Sequence, residues 1–297
     1  MPELPEVETI RRQLQSRLAG KTIKSVEVLY PKVVHGMSTT NFIRALKGKH
    51  IKEVSRQGKL ILIRLDGTET LVVHLKMTGR LLLHNPPQPS LTLREGVKKF
   101  PPLKVRGGAG GVTKSTEIVF TFTNGTALHY DDLRRFGYMK VLPTNAEAKL
   151  VQKDQLGIDF FDRALTANKF AELISSRGGS QIKPLLLDQS LIAGIGNIYA
   201  QEACFISKIH PLRKAGDLSD KELTELYWAL NKIMKKAIKL GGSSADDYVD
   251  AFGKQGKFVP HLKVYGREDK PCMRCKTKLV KKNIGGRGTV FCLKCQK

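Results

Sequence analysis

The chain has 297 residues, 41% of them apolar, which is enough for about two domains with buried cores and no disulfide staples. Lys and Arg number 51 against 27 Asp and Glu, a formal charge of +24 with a pI near 9.9; such a balance points to a polyanion partner, nucleic acid before an anionic membrane. No run approaches the roughly 18 apolar residues of a bilayer span, and MPELPEVETI has neither the basic nor the apolar region of a secretory leader, so the expected location is the cytoplasm.

Pro5 suits a first helical turn and Glu6 and Glu8 its positive end. Ile10, Leu14 and Leu18 recur four apart, and Gly20 stops the helix. From Lys21 to Pro143 short apolar runs (TIKSVEVL, KLILIRL, TLVVHLKM, EIVFTF, TALHY) are punctuated by Asp66-Gly67 and Asn124-Gly125. This pattern predicts an antiparallel β domain, sandwich or flattened barrel. NPPQPS and VRGGAGG interrupt it, with six basic residues and one acid between Arg94 and Lys114, so about 85–115 reads as a flexible basic insertion.

After Pro143 the periodicity turns helical in ALTANKFAELISSR, IKPLLLDQ and NIYAQEACFISKI. The strongest helix follows Ser219, with Glu222 completing a capping box, Leu218 and Leu223 a hydrophobic staple, and Gly241 the stop. Expected boundaries are therefore 1–145 for the β domain with its leading helix, 146–242 for a helical domain, and 243–297 for a basic tail. From Lys254 to Lys297 that tail holds 13 basic and 2 acidic residues, a net +11.

Four of the five cysteines lie in this tail. Cys272-Met-Arg-Cys275 and Cys292-Leu-Lys-Cys295 are separated by sixteen residues. Each CxxC turn aims two sulfurs at one ion, and two turns complete the tetrahedron zinc prefers; four protein ligands leave no place for water, so the zinc is structural. KLVKKN and TVFC read as two strands joined by IGGRG, whose Arg287 on a basic finger suits a phosphate. Cys204, alone in an apolar helical stretch, reads as core.

Two features carry possible chemistry. Gly194-Ile-Gly-Asn197 precedes a helix, where free amides and the dipole suit a phosphate, although an Asn-capped helix start looks the same. Glu3, Glu6 and Glu8 crowd the N-terminus beside Pro2; they complement the helix dipole or serve acid/base chemistry. Loss of Met1 would expose the Pro2 secondary amine, which titrates at about 8 against about 10.4 for a lysine and can form an iminium with an electrophilic carbon.

MPELPEVET, RQGKLILI, HLKMTGRL, DDLRRFG, LLLDQSLIAGIGNIYAQE, IHP, GGSS and the four-Cys finger occur in one order across the chain, the basic insertion excepted. In this the sequence resembles the formamidopyrimidine-DNA glycosylases. The resemblance implies an α+β fold: an N-terminal β-sandwich, then a helix-two-turn-helix domain with a zinc-bound β-hairpin, with duplex DNA bound between the lobes by a monomer. It implies Pro2 as nucleophile at C1′ of an oxidised purine nucleotide, Glu3 as acid/base, Glu6 in support, and strand cleavage at the abasic site by β,δ-elimination. Lys59 and Arg287 fall on its catalytic positions, and His74, Asn197 and Tyr265 on positions that grip the backbone. Met77, Arg134 and Phe136 fall where the vacated stack is filled. Ser243, Asp246, Asp247 and Tyr248 fall on the loop that closes over the extruded base, with Asp246 where relatives commonly carry a cation.

An endonuclease VIII-like enzyme for oxidised pyrimidines would share Pro2, Glu3 and the finger, but Leu4 in PELPE and the intact RRFG favour the purine enzyme. A catalytically silent binder of damaged DNA is the other reading. Intact Pro2, Glu3 and Lys59 speak against it, and retention of Met1 would favour it.

Overall fold

A computed structural model describes residues 1–85, 112–147, 156–245 and 247–297. The expected insertion, apart from its ends, and Asp246 lie outside the described residues.

The first lobe is a sandwich of two antiparallel four-stranded sheets. One has the order β1 (Ile23–Val28), β6 (Thr116–Phe122), β7 (Ala127–Asp132), β5 (Gly79–His84). The other runs β2 (Ile51–Gln57), β3 (Leu60–Leu65), β4 (Glu69–His74), β8 (Tyr138–Pro143). Gly67 and Gly125 both take φ of 82° at the expected turns, a conformation that costs glycine nothing. Ile61, Ile63, Leu71 and Val73 from one sheet face Ile118, Phe120, Leu128 and Tyr130 from the other in one buried core.

This lobe is not purely β beyond its leading helix. Helix α2 (Thr39–Leu46) stands inside the stretch read as strands, capped by Ser38, whose Oγ accepts from Asn41 N. Only Phe42 and Leu46 of its eight residues are buried, a pair at i and i+4 that holds one turn against the sandwich.

The second lobe packs α3 (Ala167–Ser175), α4 (Ile182–Leu187), α5 (Asn197–Ile206) and α6 (Asp220–Lys239) around a separate core, with a two-stranded parallel sheet of β9 (Ile158–Asp159) and β10 (Ile192–Ala193). The expected capping box of α6 is present, with Ser219 Oγ accepting from Glu222 N and Glu222 accepting from Ser219 N. Leu218 and Leu223 are both buried, and Gly241 follows the helix at φ 76°. The finger is the hairpin β11 (Val280–Ile284) and β12 (Arg287–Phe291), docked on α5 by Gln201 Oε1, which accepts from Val290 N at 2.9 Å. Cys204 is fully buried, as its apolar surroundings predict.

Helix α1 (Leu4–Leu18) joins the lobes. Leu4 belongs to the helical core, whereas Val7, Ile10, Leu14 and Leu18 belong to the sandwich core. The segment after α6 also returns to the first lobe: Tyr248 and Ala251 enter the sandwich core, and Ala251 O accepts from Leu83 N at 2.8 Å.

Candidate active site

The N-terminal carboxylates converge where the two lobes meet. Glu3, 2% exposed, directs its carboxylate at the start of α5, accepting from Ile198 N at 2.9 Å and Tyr199 N at 3.4 Å. The helix start that the sequence offered to a phosphate is thus already engaged by an acid of the chain itself. Its N-cap is Gly196, with Asn197 in the first turn instead of at the cap. Glycine is needed twice here because the chains touch. A Cβ on Gly196 would stand 2.2 Å from Glu3 Cδ, and one on Gly194, at φ 111°, 2.4 Å from Leu4 Cδ1.

Glu6 Oε1 accepts from Tyr199 Oη at 2.6 Å and Ser243 N at 2.7 Å, and Oε2 accepts from Glu3 N at 3.0 Å. Burial, and then the Glu3 charge, raise the Glu6 carboxyl to about 7. Burial also raises Glu3, opposed by the Lys59 ammonium and the two α5 amides. Lys59 Nζ donates to Ile195 O at 2.9 Å, and its burial lowers its pKa against the pull of Glu3, with Arg287 adding to the lowering. Burial thus moves the acid up and the amine down, while the attraction between the two charges opposes both shifts.

A cavity of about 230 Å3 opens on this constellation, lined by Met1, Glu3, Lys59, Met77, Asn197, Tyr265 and Arg287 among others. Seven residues scattered over the sequence therefore share one wall, with Pro2 buried beside it. Asn197 Nδ2 donates to Gly288 O of the finger at 3.2 Å while its Oδ1 is buried without a partner. Tyr265 is positioned by Glu202, a buried carboxylate accepting from the amides of Lys263, Val264 and Tyr265.

His74 lines an adjoining cavity of about 260 Å3 with Lys59, Lys76, Tyr138 and Gln189. Burial and the charges of Lys76, Lys59 and Lys140 lower the imidazole to about 3, so it is neutral. Its Nδ1 accepts from Lys76 N at 2.9 Å, which leaves the proton on Nε2. A neutral donor beside lysines is suited to a phosphate oxygen.

Arg134 and Phe136 line neither cavity. They stand on the loop after β7, the guanidinium 4.7 Å over the Phe136 ring, which is 52% exposed and not core. Asp132 organises this loop, accepting from Arg134 N, Phe136 N, Gly137 N and Thr78 Oγ1. Through Thr78 the same carboxylate ties the Arg134 loop to the turn that carries Met77.

Ser243 meets the site through its amide, and its Oγ is buried without a partner. Tyr248 is buried and its Oη donates to Glu6 O at 3.5 Å; Asp247 is exposed. Glu8 is not with the other two acids: Arg11, Arg12 and Arg56 surround it and, against the effect of burial, hold it at about 2. Arg56 also pairs with Asp159 of the second lobe, whose Oδ2 accepts from Gly58 N at 2.7 Å.

Two residues escaped the sequence reading. Lys183 is fully buried with an unpartnered Nζ, its pKa lowered to about 8 by burial; a lysine inside the apolar turn IKPLLL was the available signal. Gln189 accepts from Gly194 N at 2.9 Å and donates to Ile195 O at 2.8 Å, holding the loop before α5, and nothing in the sequence marks it.

The four finger cysteines have their sulfurs within 4.8 Å of one another, with Cys272 to Cys295 at 3.9 Å and Cys275 to Cys292 at 3.5 Å. Zn–S bonds of about 2.3 Å in a tetrahedron separate sulfurs by about 3.8 Å, so the cluster fits one structural zinc ion. Held there, the ion would cross-link both knuckles of the hairpin; it lines neither cavity. Among the described residues no other group of His, Cys, Asp and Glu could hold a metal, and no helix is long and apolar enough to cross a membrane.

Residues 1–139 match the family model described as Formamidopyrimidine-DNA glycosylase N-terminal domain, 156–249 that for the H2TH domain of the same enzyme, and 269–297 the zinc finger found in FPG and IleRS. The chain is 39% identical over 297 residues to the formamidopyrimidine-DNA glycosylase of Pelotomaculum thermopropionicum, covering 100% of this chain and 99% of that one. It is 40% identical over 296 residues to that of Exiguobacterium sibiricum, covering 100% and 99%. Two Lactococcus lactis Fpg structures superpose with TM-score 0.86 at 32% identity over the whole of both chains, a point mutant bound to Fapy-dG containing DNA and a complex with abasic-site DNA. The α+β arrangement of sandwich, helical lobe and zinc hairpin is the one these proteins share. The chain belongs to the formamidopyrimidine-DNA glycosylase family.

Proposed function

We propose that this chain excises oxidised purines such as 8-oxoguanine and formamidopyrimidines from duplex DNA and then cuts the abasic strand. The observation that carries the reading is the buried Glu3 carboxylate, fixed on the α5 amides in a cavity it shares with Lys59 and Arg287. With Met1 removed, the Pro2 nitrogen attacks C1′. The C1′–base bond breaks with its electron pair leaving on the base, which takes up the proton lost by the Pro2 nitrogen; the pair freed on that nitrogen forms the C1′=N bond of the iminium as C1′–O4′ breaks and Glu3 gives a proton to O4′. Loss of a C2′ proton expels the 3′ phosphate, and a second elimination expels the 5′ phosphate, with Lys59 and Arg287 at hand for these transfers.

His74, Asn197, Tyr265 and Arg287 grip phosphates around the extruded nucleotide, and Met77, Arg134 and Phe136 fill the stack it leaves. Ser243, Asp246, Asp247 and Tyr248 form the loop over the extruded base. The working units are 1–145, 146–242 and 243–297, acting as a monomer on chromosomal DNA in the bacterial nucleoid. Oxidised pyrimidines belong in the substrate test as a second class, since a wild-type Lactococcus lactis Fpg is seen with an oxidised pyrimidine containing DNA.

Borohydride reduction during reaction with a duplex carrying one 8-oxoguanine tests the reading. The expected product is a covalent protein–DNA adduct whose cross-linked peptide begins at Pro2, in protein whose intact mass lacks Met1. An adduct mapped to Lys59 or Lys183 would overturn the assignment of the nucleophile, and binding without any adduct would leave a silent damage binder.

A further inference from the structure

A further cavity, about 660 Å3, shares no residue with the two just considered. It lies at the lobe junction, between Glu8, Arg12 and Arg56 on one side and the segments 160–167 and 227–238 on the other. Four aromatic rings run along it. Phe161 packs on Phe160 at 5.5 Å, Phe160 on Tyr227 at 5.7 Å, and Tyr227 on Trp228 at 5.1 Å. Phe160 and Tyr227 are buried, but Trp228, the only tryptophan in the sequence, is 57% exposed. An indole left in water beside an apolar cavity is the kind of side chain that dominates binding energy when a partner covers it.

The rim adds charge. Arg163 and Lys235 are exposed and make no ion pair or hydrogen bond among the described residues, and Arg12 keeps 61% of its side chain exposed. Glu8 is engaged by three arginines, while the exposed Asp162 accepts only from Ala164 N at 2.8 Å and keeps its charge. Arg12, Arg56, Arg163 and Lys235 stand against Glu8 and Asp162 in the lining, which is therefore net positive. No lining residue has a buried polar atom without a partner, in contrast to Asn197 in the catalytic cavity. A small polar metabolite would find no donor or acceptor in the floor to orient it. Nor does a recess with an aromatic floor suit a duplex backbone, which is held by donors spaced along a surface.

We propose that this cavity is a docking site for an acidic peptide segment of another protein that carries an aromatic side chain. The ring enters between Phe161 and Trp228, and the flanking carboxylates pair with Arg163, Lys235 and Arg12. A segment bound there touches both lobes without obstructing Glu3, so a partner could be held during repair.

Trp228 supplies its own readout, because all indole fluorescence comes from this site. The probe is an acetylated peptide of four aspartates followed by leucine and phenylalanine, titrated into the full-length protein. A saturable change in emission with a Kd on the order of 1–100 µM is expected, in the range of weak transient recognition. Replacing the peptide's phenylalanine by alanine, or introducing Arg163→Glu with Lys235→Glu in the protein, should each raise the Kd at least ~10-fold, about 1.4 kcal/mol. Excision of 8-oxoguanine by the double variant should stay at the wild-type rate, so that failure here is separable from failure of the catalytic reading. Unchanged emission up to ~1 mM peptide, equal binding of the alanine peptide, binding that survives both charge reversals, or displacement of the peptide by lesion duplex would each overturn the proposal.

Discussion

Gly196→Ala isolates the placement of Glu3 from its chemistry. Gly196 has φ of −130°, open to any residue, so the substitution does not strain the backbone. Its Cβ, however, would stand 2.2 Å from Glu3 Cδ and 2.5 Å from Cγ and Oε1, where ordinary contact begins at 3.4 Å. The carboxylate must retreat by roughly 1 Å and give up its bond to Ile198 N, and a displacement of that size at a reacting centre costs about 10²-fold, or about 2.7 kcal/mol of transition-state stabilisation. The freed amides take up water, so the stability loss should be near the 1.5–3 kcal/mol of one charge-assisted hydrogen bond. Single-turnover excision from an 8-oxoguanine duplex is the assay, with Gly179→Ala, whose Cβ meets nothing within 4 Å, as control. An excision rate within ~3-fold of wild type, about 0.6 kcal/mol, would refute the claim that the α5 amides hold Glu3 for reaction.

Removal of the zinc by a chelator should unfold the finger and withdraw Arg287 and the Gly288 contact to Asn197, lowering nicking activity at least ~10-fold while the sandwich stays folded; full activity in protein shown to be metal-free would contradict this. For Glu6 the folded-state pKa of about 7 stands above the ordinary 4.5, so its contribution to stability is complete below about 4.5 and disappears as the pH rises through 7. Glu6→Gln should remove that loss, flattening the stability profile between pH 5 and 8 by on the order of 2–3 kcal/mol relative to wild type. Parallel thermal-denaturation curves for the two proteins across this range would show that Glu6 does not titrate there.

Legibility followed the distance over which each feature is encoded. The turns at Gly67 and Gly125, the Ser219–Glu222 box and the paired CxxC knuckles each depend on residues within a few positions of one another, and each was visible in sequence. Helix α2 was not, because two buried residues in eight leave too short a stripe to stand out among strands. The contact of Glu3 with Ile198 spans 195 positions and that of Arg56 with Asp159 spans 103. Contacts of that kind leave no periodicity, so the sequence offered the α5 amides to a phosphate when an acid of the chain already held them. Glu3, Lys59, Asn197 and Arg287 could be gathered beforehand only through the family resemblance.

The way α1 is shared explains why the acids can sit so close to an anionic ligand. Leu4 is anchored in the helical lobe and Val7 in the sandwich, so the intervening turn cannot follow either lobe alone. Glu6 lies in that turn, and its single Oε1 atom accepts from Tyr199 of one lobe and from the amide of Ser243 at the entrance to the proposed base-covering loop. Tyr248, at the far end of that loop, is buried in the sandwich core. A displacement of the Ser243 amide would therefore act directly on the carboxylate whose other oxygen, Oε2, accepts from Glu3 N. Because the Glu3 charge is the second cause of the raised Glu6 pKa, loss or gain of the Ser243 bond alters how readily the pair holds its proton. One carboxylate therefore connects the Ser243 amide, the Tyr199 hydroxyl and the Glu3 amide.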